Sequence, residues 1–337
     1  MRRLSVLFPV VVGCVILFFS GASVMAGEGV EVGIGSLKIG GNYQGYYAWY
    51  DNDDAASEFD TKRARLLLFG TLIPDKIDYF VQAEAVSSPY LLDSKLILKY
   101  IPNTAISMGR FVPNYTLYMP KSTARLNLIN YPLTTLKTAM WRQTGVQSTT
   151  TTEFFDVTLG IFNGYQTDAG SESLKGNDWG DNNDAKDFLI QTNIKPMKGL
   201  NIGLFGWFGS AYNVDADEDF DTNRYGANFE YTGTHLYLAG EYLMGTTESI
   251  SSSDVDCSGF FGHIGYNIND SWELHVRYDD WDPNTDVDDN GESWFTGGIN
   301  FKLLNYNAMF YLNYIARRED GTDIDNDEFV LMFQYAF

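Results

Sequence analysis

Between Ser94 and Thr152 the chain carries no Asp or Glu, although the 337-residue sequence holds 44 of them and even spreading would put about eight there. The same window contains Lys95, Lys99, Arg110, Lys121, Arg125, Lys137 and Arg142. Two further cations, Arg63 and Arg65, stand two residues apart upstream. What a cluster of fixed cations does well is receive anions, replacing part of the hydration that an ion sheds in a narrow place. A plainer use is open too, a basic surface serving solubility or contact with lipopolysaccharide. For Arg63 and Arg65 the competing use is an ion pair with Glu84 or Glu230.

Other reactive residue types form weaker patterns. The segments DVDDNGE (286–292) and DIDNDE (323–328) crowd carboxylates as hard-cation sites do. The twelfth position counted from Asp286 is Gly297, however, where a calcium-binding EF-hand needs Glu. Both segments read as a solvated acidic rim. His235, His263 and His275 are dispersed and read as ordinary inward-facing residues rather than as a metal cluster. The sequence has no Gly-x-Ser-x-Gly, Cys-x-x-Cys or phosphate-loop pattern. No catalytic residue, metal or cofactor is therefore expected, and the chain is read as a non-enzyme.

The elements that would carry the cations follow from the rest of the chain. Residues 1–26 combine Arg2 and Arg3, an apolar run from Leu4 to Phe19, and Val24 and Ala26 spaced as before a signal-peptidase cut. The run is shorter than the roughly 18–20 residues that a spanning helix needs. Export with processing near Gly27 is expected, leaving residues 27–337 as one domain with Cys257 as its sole cysteine and no internal disulfide. The formal charge of −21 becomes −23 when Arg2 and Arg3 are removed, which argues against a nucleic-acid partner.

After residue 26 large apolar residues recur at every second position. Trp272, Leu274, Val276 and Tyr278 share one face and Glu273, His275 and Arg277 the other. The last nine residues, FVLMFQYAF, repeat the rhythm and end on Phe337. A period of two is the signature of strands. Sixteen are predicted, at 37–50, 60–73, 78–87, 94–101, 104–111, 142–151, 154–163, 187–195, 200–210, 223–232, 235–245, 258–267, 271–281, 293–302, 306–315 and 328–337. Short turns alternate with long acidic connections. An even number of strands with this asymmetry describes an all-β fold, a 16-stranded antiparallel transmembrane β-barrel of the Gram-negative outer membrane. A barrel with sixteen strands is wider than side chains can fill.

Residues 112–141, VPNYTLYMPKSTARLNLINYPLTTLKTAMW, form the third long connection. Unlike its acidic siblings it is basic and rich in Leu, Ile and Tyr, so it is expected to fold into the barrel and narrow it. Arg63 and Arg65 lie opposite Ala64, Leu66, Leu68 and Gly70, and should face the lumen. A charge turned toward lipid at the midplane would cost roughly 2–4 kcal/mol.

The segments TKRARLLLFGTL (61–72), DSKLILKY (93–100), ISMGRFVPNYTLYMP (106–120) and WRQTGVQ (141–147) resemble, in order and spacing, the phosphate-selective porin O/P family. The resemblance is best over residues 30–165. It implies a homotrimeric porin whose inward loops present Arg and Lys to anions. Arg63 and Arg65 match the family's second-strand arginines, and Gly109, Arg110 and Pro113 match the approach to the third loop. Lys121 and Arg125 match in character only. The terminal strand ending in Phe337 resembles the outer-membrane signature read by the barrel assembly machinery. Two functions fit: a porin for small hydrophilic solutes, anion-favouring at its constriction, or a barrel sheath around a periplasmic electron carrier or plug protein.

Overall fold

The computed structural model describes residues 30–32, 35–50, 57–87, 90–165, 183–213, 216–249, 253–322 and 324–337. The signal peptide assigned to residues 1–26 lies outside them, as do residues 51–56 and 166–182 of two acidic connections. A short strand β1 (Val30–Val32) pairs with the start of the next. Then come β2 (Gly35–Tyr50), β3 (Glu58–Ile73), β4 (Ile77–Glu84), β5 (Leu91–Ile101), β6 (Thr104–Phe111), β7 (Gln143–Thr151), β8 (Phe155–Phe162) and β9 (Asp187–Met197). The second half holds β10 (Leu200–Asn213), β11 (Glu218–Thr232), β12 (Leu236–Thr247), β13 (Val255–Asn267), β14 (Trp272–Asp282), β15 (Glu292–Lys302), β16 (Ala308–Glu319) and β17 (Glu328–Ala336). From β2 to β17 each strand pairs antiparallel with its neighbour, and β17 pairs with β2, which closes a barrel of sixteen strands. Closure leaves no strand edge, so every spanning backbone group has a partner inside the sheet.

The alternation is inverted relative to a water-soluble core. On β14, Leu274 and Val276 are 39% and 45% exposed, whereas Arg277 and Asp279 are 1% and 0% exposed. Apolar groups facing outward and polar groups inward suit a lipid solvent outside and a polar lumen within. Trp272 and Tyr278 bracket that outward run, as aromatic residues do at the two membrane–water boundaries.

Each of the sixteen barrel strands overlaps its sequence-predicted span. The main difference lies on the side of the long connections. There β11 begins at Glu218 rather than 223, and β16 runs to Glu319 rather than 315. These ends are polar, so apolar alternation stops before the ladder does. Arg318 meets Asp327 at 2.8 Å and Arg317 pairs with Glu328 across β16 and β17, holding the ladder together beyond the apolar belt.

Residues 112–142, a plain connection by sequence pattern, contain two short helical pieces. One is a 3-10 turn at Thr123–Arg125, with Ser122 Oγ accepting from the Ala124 N–H. The other is α1 (Leu133–Thr138), preceded by Pro132 at its N-cap. Gly109, just before the segment, has φ +123°, and a Cβ there would stand 2.3 Å from the Ser94 carbonyl oxygen. Only glycine fits that close approach.

Candidate functional site

The site is built from the wall of β2–β6 and from residues 112–142, which bond to inward side chains around much of the barrel. Glu241 on β12 accepts from the Leu117 N–H at 2.6 Å and the Thr134 hydroxyl at 3.0 Å. On β14, Arg277 donates to the carbonyls of Asn130 and Tyr131 at 2.9 and 3.1 Å, while Asp279 accepts from the Leu133 N–H at 3.1 Å. Asn300 on β15 donates to the Asn127 carbonyl at 2.7 Å, and Asn313 on β16 accepts from the Ile129 N–H at 2.9 Å. Gln334 and Gln44 donate to the carbonyls of Ala124 and Thr123, both at 3.1 Å. Non-helical backbone at this depth is tolerated because the wall supplies its hydrogen-bond partners.

Tyr118 and Lys121 are fixed by a longer chain of polar groups. Lys121 pairs with Glu230 and lies 3.3 Å from the Tyr237 hydroxyl. Tyr237 and Tyr118 meet at 2.9 Å, Tyr118 reaches His263 Nδ1 at 2.8 Å, and His263 Nε2 stands 3.1 Å from His275 Nδ1. His275 Nε2 in turn faces Glu273 at 3.5 Å. The Tyr237 hydroxyl donates to Glu230 at 2.8 Å, so it accepts in its contact with Tyr118, and the Tyr118 hydroxyl in turn accepts from His263 Nδ1. His263 and His275 are thus not dispersed, as the sequence suggested. They sit on adjacent strands, and His235 alone stands apart, exposed in a short turn with Nδ1 3.0 Å from the Asn267 carbonyl oxygen.

A cavity of about 780 Å³ opens between this segment and the β2–β5 wall. Six of the nine cations singled out in the sequence line it: Arg63, Arg65, Lys95, Lys121, Arg125 and Arg142. Its acidic lining side chains are Glu84 and Asp93, and Glu230 beyond the lining pairs with Lys121, which leaves three of the six cations without a carboxylate partner among the described residues (6 − 3). Arg65 Nε meets Glu84 at 2.9 Å and donates through Nη1 to the Thr123 hydroxyl at 3.0 Å. Arg142 Nε meets Asp93 at 3.3 Å. Asp93 stands one residue outside the carboxylate-free window. Arg63 donates to Gln44 at 2.7 Å. Lys95 lies over the rings of Phe111 and Phe80 at 5.1 and 5.8 Å, and Arg125 over Tyr306 at 5.2 Å. Among the described residues, no carboxylate lies within 4.0 Å of Arg63, Lys95 or Arg125. Burial pushes the Tyr306 phenol up to about 12, so its ring stays neutral beneath the guanidinium.

The other three cations are elsewhere. Lys99 meets Asp78 at 2.5 Å toward the short-turn end, and Lys137 on α1 pairs with Glu292. Arg110 is buried on β6 and is not among the residues lining the cavity. The competing use of the strand-two arginines is thus realised for Arg65, which pairs with Glu84, whereas Glu230 serves Lys121.

The fold belongs to a recognisable class, that of outer-membrane porins. The structure is similar to OmpT of Vibrio cholerae (TM-score 0.68, 12% identity, covering 92% of this chain and 100% of that one). It is also similar to an anion-selective porin from Comamonas acidovorans (TM-score 0.67, 13% identity, 90% and 100% covered). A trimer form of the Vibrio protein, folded in vitro, gives a TM-score of 0.63 at 12% identity, with 90% and 100% covered. More particularly, residues 208–337 match the family model described as phosphate-selective porin O and P. The resemblance stated from residues 30–165 is therefore supported in a different part of the chain, from β10 to the terminus, where only the hairpin rhythm and Phe337 had suggested it. No curated relative matches the sequence.

Proposed function

We propose that this chain is an outer-membrane porin through which small hydrophilic solutes diffuse, with anions favoured at a constriction between residues 112–142 and the β2–β5 wall. The observation that carries the reading is the three cations around the cavity that no carboxylate pairs among the described residues, in a chain whose formal charge is −21. They are Arg63, Lys95 and Arg125. A sheath for a carrier protein is disfavoured, since it needs the space beside the wall residues that bind 112–142. The chain is proposed to assemble as a homotrimer, as the similar Vibrio protein does in one form.

The test is the zero-current potential of the purified protein in a planar bilayer under a tenfold KCl gradient. The expected sign reports chloride preference, and Arg63→Gln, Lys95→Gln and Arg125→Gln together should carry the potential toward zero. A potential of cationic sign in the unaltered protein at a mean of about 1 M KCl, where exposed charges are screened, would refute the proposal.

A further inference from the structure

Below the constriction, toward the short-turn ends of the strands, the inner wall departs from the polar character of a lumen. The register aligns four side chains on four consecutive strands: Lys38 on β2 opposite Phe69 on β3, Phe69 opposite Phe80 on β4, and Phe80 opposite Lys95 on β5. At about 4.8 Å between strands the row is roughly 14 Å long, with two aromatic rings at its centre and an ammonium at each end. Leu67 and Ile97 point the same way on neighbouring levels of β3 and β5. A cavity of about 430 Å³ lies over the row and shares Phe80 and Lys95 with the larger cavity. Its one acidic lining residue, Asp78, is occupied by Lys99 at 2.5 Å. Among the described residues, neither Lys38 nor Lys95 has a carboxylate within 4.0 Å.

Half-buried rings facing water lose hydrophobic stabilisation unless something apolar covers them. An inorganic anion would use the lysines and leave the rings wet. We infer that the row is a subsite for organic anions that join an aromatic body to carboxylates, the rings taking the body and Lys38 and Lys95 the charges. This rests on the anion-favouring channel proposed above and adds the class of solute.

The experiment uses two dicarboxylates of equal charge, terephthalate and succinate, as inhibitors of chloride current through the whole protein in a planar bilayer. Terephthalate is expected to half-inhibit at roughly tenfold lower concentration than succinate, the effect of ring–ring contact with Phe69 and Phe80. In the double variant Phe69→Ser, Phe80→Ser the two should inhibit within about twofold of each other. In Lys38→Gln, Lys95→Gln both should inhibit less. Equal inhibition by the two acids in the unaltered protein overturns the inference, with no need for any variant to assemble. A tenfold gap that persists in the serine variant overturns the assignment to this row. Cation preference in plain KCl at about 1 M would instead defeat the channel reading itself, before any dicarboxylate is added.

Discussion

Arg63, Lys95 and Arg125 differ from the other cations around the large cavity in what faces them. Arg65, Arg142 and Lys121 each hold a carboxylate, and a pair is nearly silent to an ion several ångströms away. Removing the acid should therefore strengthen the channel's preference. In Glu84→Gln the unpaired cations around the cavity rise from three to four, as Arg65 joins them. A unit charge about 8 Å away across water contributes about 0.5 kcal/mol. Chloride is favoured and potassium disfavoured by that amount each, so the chloride-over-potassium permeability ratio should rise roughly fivefold, read from the zero-current potential, and a fall would contradict the placement of Arg65 on the pore. Lys121→Glu is a poorer probe than its position suggests, because it would set a second carboxylate against Glu230. Which cations were inward was legible in the sequence, since β3 alternates Arg63 and Arg65 with Ala64 and Leu66. Which of them were paired was not. Pairing depends on strand register, including the irregularity between Gln44 and Gly45, and on Asp93, a lone acid at the edge of a basic stretch.

At the scale of elements, the strands were legible because period two is imposed by lipid on one side and water on the other. The course of residues 112–142 was only partly so. Their basic and apolar composition pointed inward, yet the partners that fix them lie more than 100 residues away on β12 to β16 as single polar residues, each ordinary in its own strand. Arg277 is the most consequential of these anchors, bonding two carbonyls of the segment and Asp279 at 2.7 Å. Arg277→Met leaves Asp279 buried without its cation, a loss on the order of 3–5 kcal/mol. The segment should detach there while the closed ladder persists. Single-channel conductance is expected to rise and anion preference to fall, in a barrel that still migrates in its folded form without heating. Unchanged conductance would mean that the segment does not set the pore. A milder change, Tyr118→Phe, strands His263 Nδ1 at a cost of roughly 1–3 kcal/mol. It should appear as increased open-channel noise rather than as a larger conductance.

For the whole molecule, the formal charge of −21 and the cationic cavity make opposite demands on a passing ion, and salt decides between them. The described acidic residues of the connection after β14, Asp286, Asp288 and Asp289, are exposed at the same end of the barrel from which residues 112–142 descend. Charges of that kind act through solvent, over about 30 Å at 0.01 M salt, 10 Å at 0.1 M and 3 Å at 1 M. The cations of the cavity act on an ion already confined beside them, where there is little room for screening ions. At 1 M KCl the acidic mouth should be electrically absent and the cavity should impose its preference for chloride. At 0.01 M the mouth enriches potassium and depletes chloride before either reaches the cavity, so the preference should shrink or change sign. The measurement is the zero-current potential under a fixed tenfold gradient at several mean concentrations. Neutralising Asp286, Asp288 and Asp289 to Asn should flatten the dependence mainly at the dilute end. A preference independent of salt would mean that mouth and cavity do not act in series on one ion path.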